Sequence, residues 1–147
     1  VHRDYADIHR YSIWSGETES ITYALRRLND IARIRRHGVD IYRKQFEGIR
    51  IEALNYPEDC CPYRFTFLLP DLTGVEVQEC TEAIREAGMH ASNLYLPLHW
   101  LAPGEVETTG CPRAEHAGLR VINLWVEEGI PERDASKAAD IVSKWTG

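Results

Sequence analysis

The pattern of apolar and polar residues predicts a strand, a helix and a second strand at the centre of this chain. Residues 63–70 are nearly all aromatic or aliphatic, which is typical of a strand covered on at least one face and ended by Pro70. A turn follows, in which Thr73 is placed to cap a helix, and Gly88 marks the end of that helix. Residues 90–96 predict the second strand. The helix has apolar residues at three- and four-residue steps: Val77, Cys80, Ala83, Ile84 and Ala87.

A longer helix is predicted before this central unit. Over residues 18–46 one apolar stripe recurs at helical spacing: Ile21, Ala24, Leu25, Leu28, Ile31, Ala32, Val39, Tyr42 and Phe46. At 1.5 Å per residue such a helix is about 40 Å long, which exceeds the width of so small a domain. We therefore expect its first half to pack on another body. Gly38 lies in the middle, where it indicates a kink or a close contact.

The remaining elements complete an α+β pattern. Residues 49–54 alternate as a partly exposed strand, 111–117 predict a short helix with Pro112 at its first position, and 119–126 predict a last strand. We expect a small antiparallel or mixed sheet of about four strands, with helices on one face. A final helix begins at about residue 132, and its apolar face consists of Ala135, Ala138, Ala139, Ile141, Val142 and Trp145.

Composition narrows the class of protein. The chain has 147 residues, of which 44% are hydrophobic and 27% charged, as in an ordinary globular domain with its own core. Its formal charge of −6 argues against a nucleic-acid partner. No apolar run approaches the ~20 residues of a membrane span, and no signal peptide is evident. The four cysteines lack the spacing of a zinc site, so we expect a reduced, cytoplasmic protein without a structural metal.

The first sixteen residues have no periodic pattern. Tyr5, Tyr11 and Trp14 are scattered among charged residues, which is typical of an extended arm that lies against this domain or against a partner. The chain begins with Val1 and not with Met, so we expect it to be a piece of a longer chain.

His99 is the strongest candidate for chemistry. It follows Pro97 at a predicted strand end, where side chains are displayed to ligands, although a His hydrogen-bonded at a domain edge would give the same pattern. Tyr95 is either a ligand contact or a packing residue. Cys61 with His99 would make a thiol–imidazole pair, but nothing in the sequence brings them together. A metal site built from the histidines and Cys111 lacks two ligands at helical spacing.

The central unit resembles a known family. Residues 63–70, the helix end at 87–89 and residues 95–99 resemble the C-terminal small domain of the DegT/DnrJ/EryC1/StrS sugar aminotransferases, which are enzymes of fold type I that use pyridoxal phosphate (PLP). Residues 111–115, with the strand and helix that follow, resemble the closing segment of the family. Residues 24–30 resemble the helix that links its large and small domains.

The resemblance covers roughly residues 11–145, with departures. The family usually carries Asn-x-Arg-Met before the long helix, whereas residues 9–14 differ, so the cofactor-phosphate role of that Asn does not carry over. The family commonly has His-Tyr before Pro-x-His; here Leu94 precedes Tyr95, and one substrate-facing His is absent. Residues 18–19 match the Glu-x-Gln positions only loosely.

The resemblance implies that this chain lacks the catalytic lysine. PLP chemistry needs a lysine that forms a Schiff base, an acid for the pyridinium nitrogen and a cup for the phosphate. The chain has three lysines, Lys44, Lys137 and Lys144, and none is in a setting expected to lower the pKa of its amine. In the family that lysine lies upstream of the region matched here. We therefore expect no bound PLP and no activity in this chain alone.

By resemblance, residues 1–16 are a link from a large PLP domain and residues 17–147 are the small domain that closes over it. The full enzyme would be a homodimer that transfers an amino group from glutamate or glutamine to a nucleotide-linked keto-sugar or a cyclitol, with His99 and Tyr95 facing the substrate. Two alternatives stay open: a stand-alone small-molecule sensor of the ACT or ferredoxin-like kind, and a non-catalytic subunit of a split aminotransferase.

Overall fold

A computed structural model describes residues 15–93, 95–101, 111–126 and 130–147 of the chain. The chain divides into two compact units, residues 1–31 and 32–147, and each is described by itself. In chain order the elements are α1 (Ser15–Gln45), β1 (Glu52–Ala53), β2 (Arg64–Leu68), α2 (Gly74–Glu86), β3 (Ala91–Ser92), α3 (Leu98–Leu101), α4 (Pro112–Arg120), β4 (Val121–Trp125) and α5 (Glu132–Thr146).

The described strands form one antiparallel sheet in the order β1-β2-β4-β3. Its centre is the five-residue pairing of β2 with β4, in which Phe65 lies opposite Leu124 and Thr66 lies opposite Asn123. The predicted α+β class is confirmed, and of the two expected sheet types the antiparallel one is present. Because partners in register share a face, this pairing separates an apolar face from a more polar one.

The apolar face carries the core of the second unit. Phe65 and Phe67 of β2 are fully buried, and their neighbours in the strand are half-buried. The Tyr42 ring stacks on Phe65 with 5.2 Å between centroids, and Phe46 lies 5.5 Å from Phe65. Burying side chains of this size stabilises the fold by about 1.5–3 kcal/mol each. The helices supply the rest of this core: Val39 from α1, Val77, Cys80 and Ile84 from α2, and Ala135, Ala138, Ala139 and Val142 from α5.

Helix α1 matches the long helix predicted over residues 18–46 and begins slightly earlier. Residues 1–14 of the arm predicted over 1–16 lie outside the described part of the chain, and the last two belong to α1. In the second unit Gly38 makes the predicted close contact, because a Cβ on it would lie 2.7 Å from Val126 Cγ1. Of the described helices, none combines the length and apolar character that crossing a bilayer requires.

Both ends of α2 lie where the sequence predicts them. The Thr73 and Glu76 side chains form a capping box, in which each accepts a hydrogen bond from the other residue's backbone N–H. At the other end Gly88 has a φ of 86°, a left-handed conformation that glycine adopts without steric cost. The Met89 N–H then donates to the Ile84 carbonyl, which closes the last turn.

The two edge strands are much shorter than predicted. Strand β1 covers two residues of the expected 49–54, since the Ile51 N–H donates to the Ile49 carbonyl and not to a neighbouring strand. The strand expected over 90–96 is wrong beyond Ser92, because residues 93 and 95–97 belong to no strand and a helical turn, α3, follows them. His99 lies in that turn and not at a strand end. The polar loop predicted over 102–110 lies outside the described residues.

Candidate functional site

The sheet face opposite the core opens into a cavity of about 560 Å³. This volume is within the usual range of small-molecule sites. Its floor comes from β2 and β4, one wall from α4, and its rim from exposed tyrosines. The lining residues are Leu54, Tyr56, Tyr63, Arg64, Thr66, Tyr95, Ala114, Ala117, Gly118, Val121 and Asn123.

The floor is a paired polar network. Thr66 Oγ1 donates to Asn123 Oδ1 at 2.7 Å, between residues directly opposite each other in the sheet. Asn123 Nδ2 donates to the Ser92 carbonyl at 3.4 Å, so Asn123 links β2 to β3 through β4. Asn123 is only 6% exposed, and a buried amide is stable in this position because its polar atoms are paired.

Tyr56 fixes the edge of the floor from a loop. Its hydroxyl donates to the Arg64 carbonyl and accepts from the Thr66 N–H at 3.0 Å. One side chain thereby satisfies a backbone acceptor and a backbone donor of β2 next to the point where β1 begins to pair. The sequence does not indicate this role of Tyr56, because no local pattern reports a partner eight to ten residues away.

Tyr95 lies on the rim and is held there by α4. The residue is 55% exposed and lines the cavity. A Cβ on Gly118 would lie 2.5 Å from the Tyr95 carbonyl oxygen and 3.3 Å from Pro97 Cδ. Only a glycine lets the helix approach this closely. Ala114 and Ala117, four residues and one residue before Gly118, line the same wall, and their short side chains leave space in the cavity.

Arg64 is a charged residue in the otherwise apolar strand β2. Its guanidinium carbon lies 4.6 Å from the Tyr63 ring centroid and 4.4 Å from that of Trp125. Trp125 in turn stacks on His90 with 4.9 Å between ring centroids. The Arg64 Nη1 atom is buried and has no hydrogen-bond partner among the described residues. We did not expect Arg64 at the site from the sequence, although an arginine within a strand core is the signal that indicates it.

Of the two predicted site residues, Tyr95 lines the cavity. His99 lies four residues further on in α3, and its side chain is outside the described part of the structure, so its place at the site stays a prediction. Cys61 has its Sγ 4.0 Å from Arg35 Nη1. Within the described residues, no three His, Cys, Asp or Glu side chains are arranged to hold a metal ion.

The helix beside the site is stabilised as the sequence predicts. Pro112 occupies the start of α4, and the Glu115 carboxylate accepts from the Cys111 N–H at 3.3 Å. These contacts give residues 111–115 a structural role at the helix N-terminus.

All three lysines are exposed. Lys137 Nζ donates to the Ala87 carbonyl at 2.8 Å, where it stabilises the C-terminal end of α2. Since a Schiff-base lysine needs a desolvated amine, these side chains do not fit the PLP-binding role. Cys80 is also no nucleophile, because burial raises the pKa of its thiol to about 11.

The sequence matches no family model and no curated protein. The fold, however, is similar to that of one part of several sugar aminotransferases. The putative sugar aminotransferase Spr1654 from Streptococcus pneumoniae superposes with a TM-score of 0.74 at 18% identity, over 85% of this chain and 33% of that chain. DesV from S. venezuelae, solved with a ketimine intermediate, gives 0.70 at 21% identity, over 86% of this chain and 35% of that one.

A DegT DnrJ EryC1 StrS aminotransferase from Brucella abortus gives a TM-score of 0.67 at 16% identity, over 86% of this chain and 34% of that one. The chain therefore spans about a third of the length of these enzymes. At these identities the likeness establishes the fold. The fold expected from the family resemblance is thus confirmed.

Proposed function

We propose that this chain is the small domain of a PLP-dependent aminotransferase that acts on a nucleotide-linked keto-sugar or a cyclitol. The observation that carries the proposal is the superposition of 85% of the chain on only 33% of a sugar aminotransferase. A match that covers most of this chain but only a third of the enzyme is what we expect when the chain corresponds to a single domain of a larger enzyme. Glutamate or glutamine as the amino donor is taken from the family resemblance.

In this proposal the large PLP domain is the partner, either in the same chain or as a separate subunit. The three exposed lysines of this chain do not fit the cofactor, so the residues that hold PLP belong to the partner. Residues 1–16 would be the link, and 17–147 the small domain. Its role is that of a lid, which excludes water from the reaction and presents Tyr95 and His99 to the substrate.

The first unit offers a surface for that partner. Ile21, Leu25 and Leu28 lie at successive turns on one side of α1, and all three are exposed, Leu25 by 64%. Contiguous apolar residues of this kind mark a protein contact. We assign this surface to the large domain and to the neighbourhood of the dimer interface in a homodimeric enzyme.

The experiment compares this chain alone with the longest open reading frame that contains it. Each is incubated with PLP, reduced with borohydride and digested for mass spectrometry. We expect a reduced PLP adduct only on a lysine outside these 147 residues, together with transamination of a keto-sugar by the longer protein. A one-to-one adduct on Lys44, Lys137 or Lys144 with turnover would refute the proposal.

A stand-alone small-molecule sensor is the second candidate, and the cavity favours it because residues of this chain alone line it. A non-catalytic subunit of a split aminotransferase is the related third form. The exposed stripe on α1 separates the candidates, since a compact sensor has no use for it. Sedimentation of the isolated chain as a well-behaved monomer, combined with a reading frame that adds no lysine domain, would favour the sensor.

A further inference from the structure

The Arg64 guanidinium lies against two aromatic rings, and Arg64 lines the cavity. Tyr63 and Trp125 lie against it at 4.6 and 4.4 Å, distances at which a cation is attracted to an aromatic face. Trp125 is in turn stacked on His90. The N–H donors of a guanidinium point outward in its plane, so a hydrogen-bonding ligand meets Arg64 at its edge and not through either ring.

Those donors have no acceptor in the described structure. Nη1 is buried without a hydrogen-bond partner, and no carboxylate of the described residues pairs with Arg64. An unpaired buried donor is rare in native proteins, and a charged one is the most unfavourable kind. The usual explanation is a ligand, ion or water that completes the site.

Several other polar side chains of the cavity already have hydrogen-bond partners within the protein. Thr66 and Asn123 are paired with each other, and the Tyr56 hydroxyl is engaged by the backbone of β2. The remaining walls are mostly aliphatic and aromatic, including Leu54 and Val121. A matching ligand has one anionic group for the guanidinium and a compact body that packs against apolar surface.

We propose that this cavity binds a small molecule with a carboxylate or phosphate group, which Arg64 holds edge-on through two parallel N–H···O hydrogen bonds. Planar two-oxygen groups fit the guanidinium fork in this way. Because Nη1 is closed to solvent in this structure, the proposal requires the Tyr63 side chain, which is 59% exposed on the rim, to move aside when the ligand binds. This inference concerns the ligand chemistry of the cavity described above. It rests on the proposed function only for the biological setting of that ligand.

The test is an NMR titration of the 147-residue chain with three probes of similar shape: benzoate, phenyl phosphate and neutral benzyl alcohol. We expect an anion to shift the Arg64 Nε–H and Trp125 indole signals and to bind at least about tenfold more tightly than the alcohol. Comparison of benzoate with phenyl phosphate identifies which oxyanion the site prefers. Neither cofactor nor turnover is involved, so this result is independent of the PLP-adduct experiment.

Variants locate the effect. Arg64→Met keeps an apolar stem and should weaken anion binding about tenfold or more, whereas Arg64→Lys keeps the charge, loses the fork and should lie between. Arg133→Met, at a residue 86% exposed on α5, is the matched control and should bind like the parent chain. Equal binding of benzoate and benzyl alcohol, or unchanged anion affinity in Arg64→Met, overturns the proposal. If Arg64→Met does not fold, the probe comparison on the parent chain decides.

Discussion

Gly118 of α4 lies against the backbone of Tyr95 so closely that a Cβ would come within 2.5 Å of the Tyr95 carbonyl oxygen. The contact joins a helix to a segment 23 residues earlier in the chain. It sets the position of Tyr95, a predicted site residue that lines the cavity. The shape of the cavity therefore depends on the absence of a side chain.

Gly118→Ala should separate α4 from the segment at 95–97. Overpacking of this kind costs about 1–3 kcal/mol, and it must exceed the ~1 kcal/mol that Ala gains over Gly within a helix. We expect lower stability in urea unfolding and changed NMR signals at Tyr95. His116→Ala, at an exposed position of the same helix, is the control. A more stable Gly118→Ala chain with unchanged Tyr95 signals would contradict the close approach.

The Thr66–Asn123 pair should behave as a coupled unit. Thr66→Val leaves the buried Asn123 side chain without this hydrogen bond, and Asn123→Leu leaves the half-buried Thr66 hydroxyl without it. Each variant alone should lower the free energy of unfolding by about 1–3 kcal/mol. The double variant loses both polar groups, so its effect should be smaller than the sum by about 0.5–3 kcal/mol. Urea unfolding of all four proteins measures this coupling. Simple additivity would show that the two side chains do not interact.

The capping box at α2 gives a pH-dependent prediction. Hydrogen bonds from Thr73, first from its backbone N–H and then from its side chain, lower the pKa of Glu76 below its ordinary value of 4.5. Because the folded-state pKa is depressed, the stabilisation is present above about pH 4.5 and is lost as the pH falls through the folded-state value. Glu76→Gln should flatten this acid dependence, whereas Glu79→Gln on the same helix should keep it.

Thr73→Ala removes the other half of the box. We expect a loss of about 1 kcal/mol at neutral pH, the usual cost of removing a Thr N-cap. The same change should raise the Glu76 pKa toward its ordinary value, which a carboxyl-detected NMR titration reports. If the Glu76 pKa did not change in Thr73→Ala, the hydrogen bonds from Thr73 would not be the cause of its lowering.

For the buried Cys80 thiol we expect the opposite trend, a loss of stability at high pH. Its burial raises the folded-state pKa from 9.0 to about 11, so the stabilisation is complete below about pH 9 and declines as the pH rises toward 11. The slope from this thiol is on the order of 1 kcal/mol per pH unit. Cys80→Ala should lower stability below about pH 9, through the loss of a buried side chain, and remove that slope, so the two proteins should converge as the pH rises toward 11. Cys111→Ala, at an exposed thiol, should retain it.

The long helices could be predicted because their information is local. A 3.6-residue period over residues 18–46 indicates α1, and Thr73 and Gly88 identify the ends of α2 without any tertiary contact. The edge strands could not be predicted to the same accuracy. Two-residue strands have no period of their own, and their length depends on which backbone groups of β2 and β4 are available.

The site was only partly predictable for a related reason. The substrate-facing role of Tyr95 is expected only from the family resemblance, since the local sequence fits a packing residue equally well. Arg64, Thr66 and Asn123 come together only through the register of β2 with β4, across a separation of 57 residues for the Thr66–Asn123 pair. No spacing within one segment reports such a contact. The one available local signal was a charged side chain within an apolar strand.

The two edge strands, β1 and β3, have a consequence for how copies of this chain meet. Each is two residues long, so the sheet offers few unpaired backbone N–H and C=O groups along its borders. Long, flat borders are the templates on which sheets extend from molecule to molecule and grow into fibrils. The described borders of this sheet are therefore poor templates for such growth, which favours side-chain surfaces for any self-association.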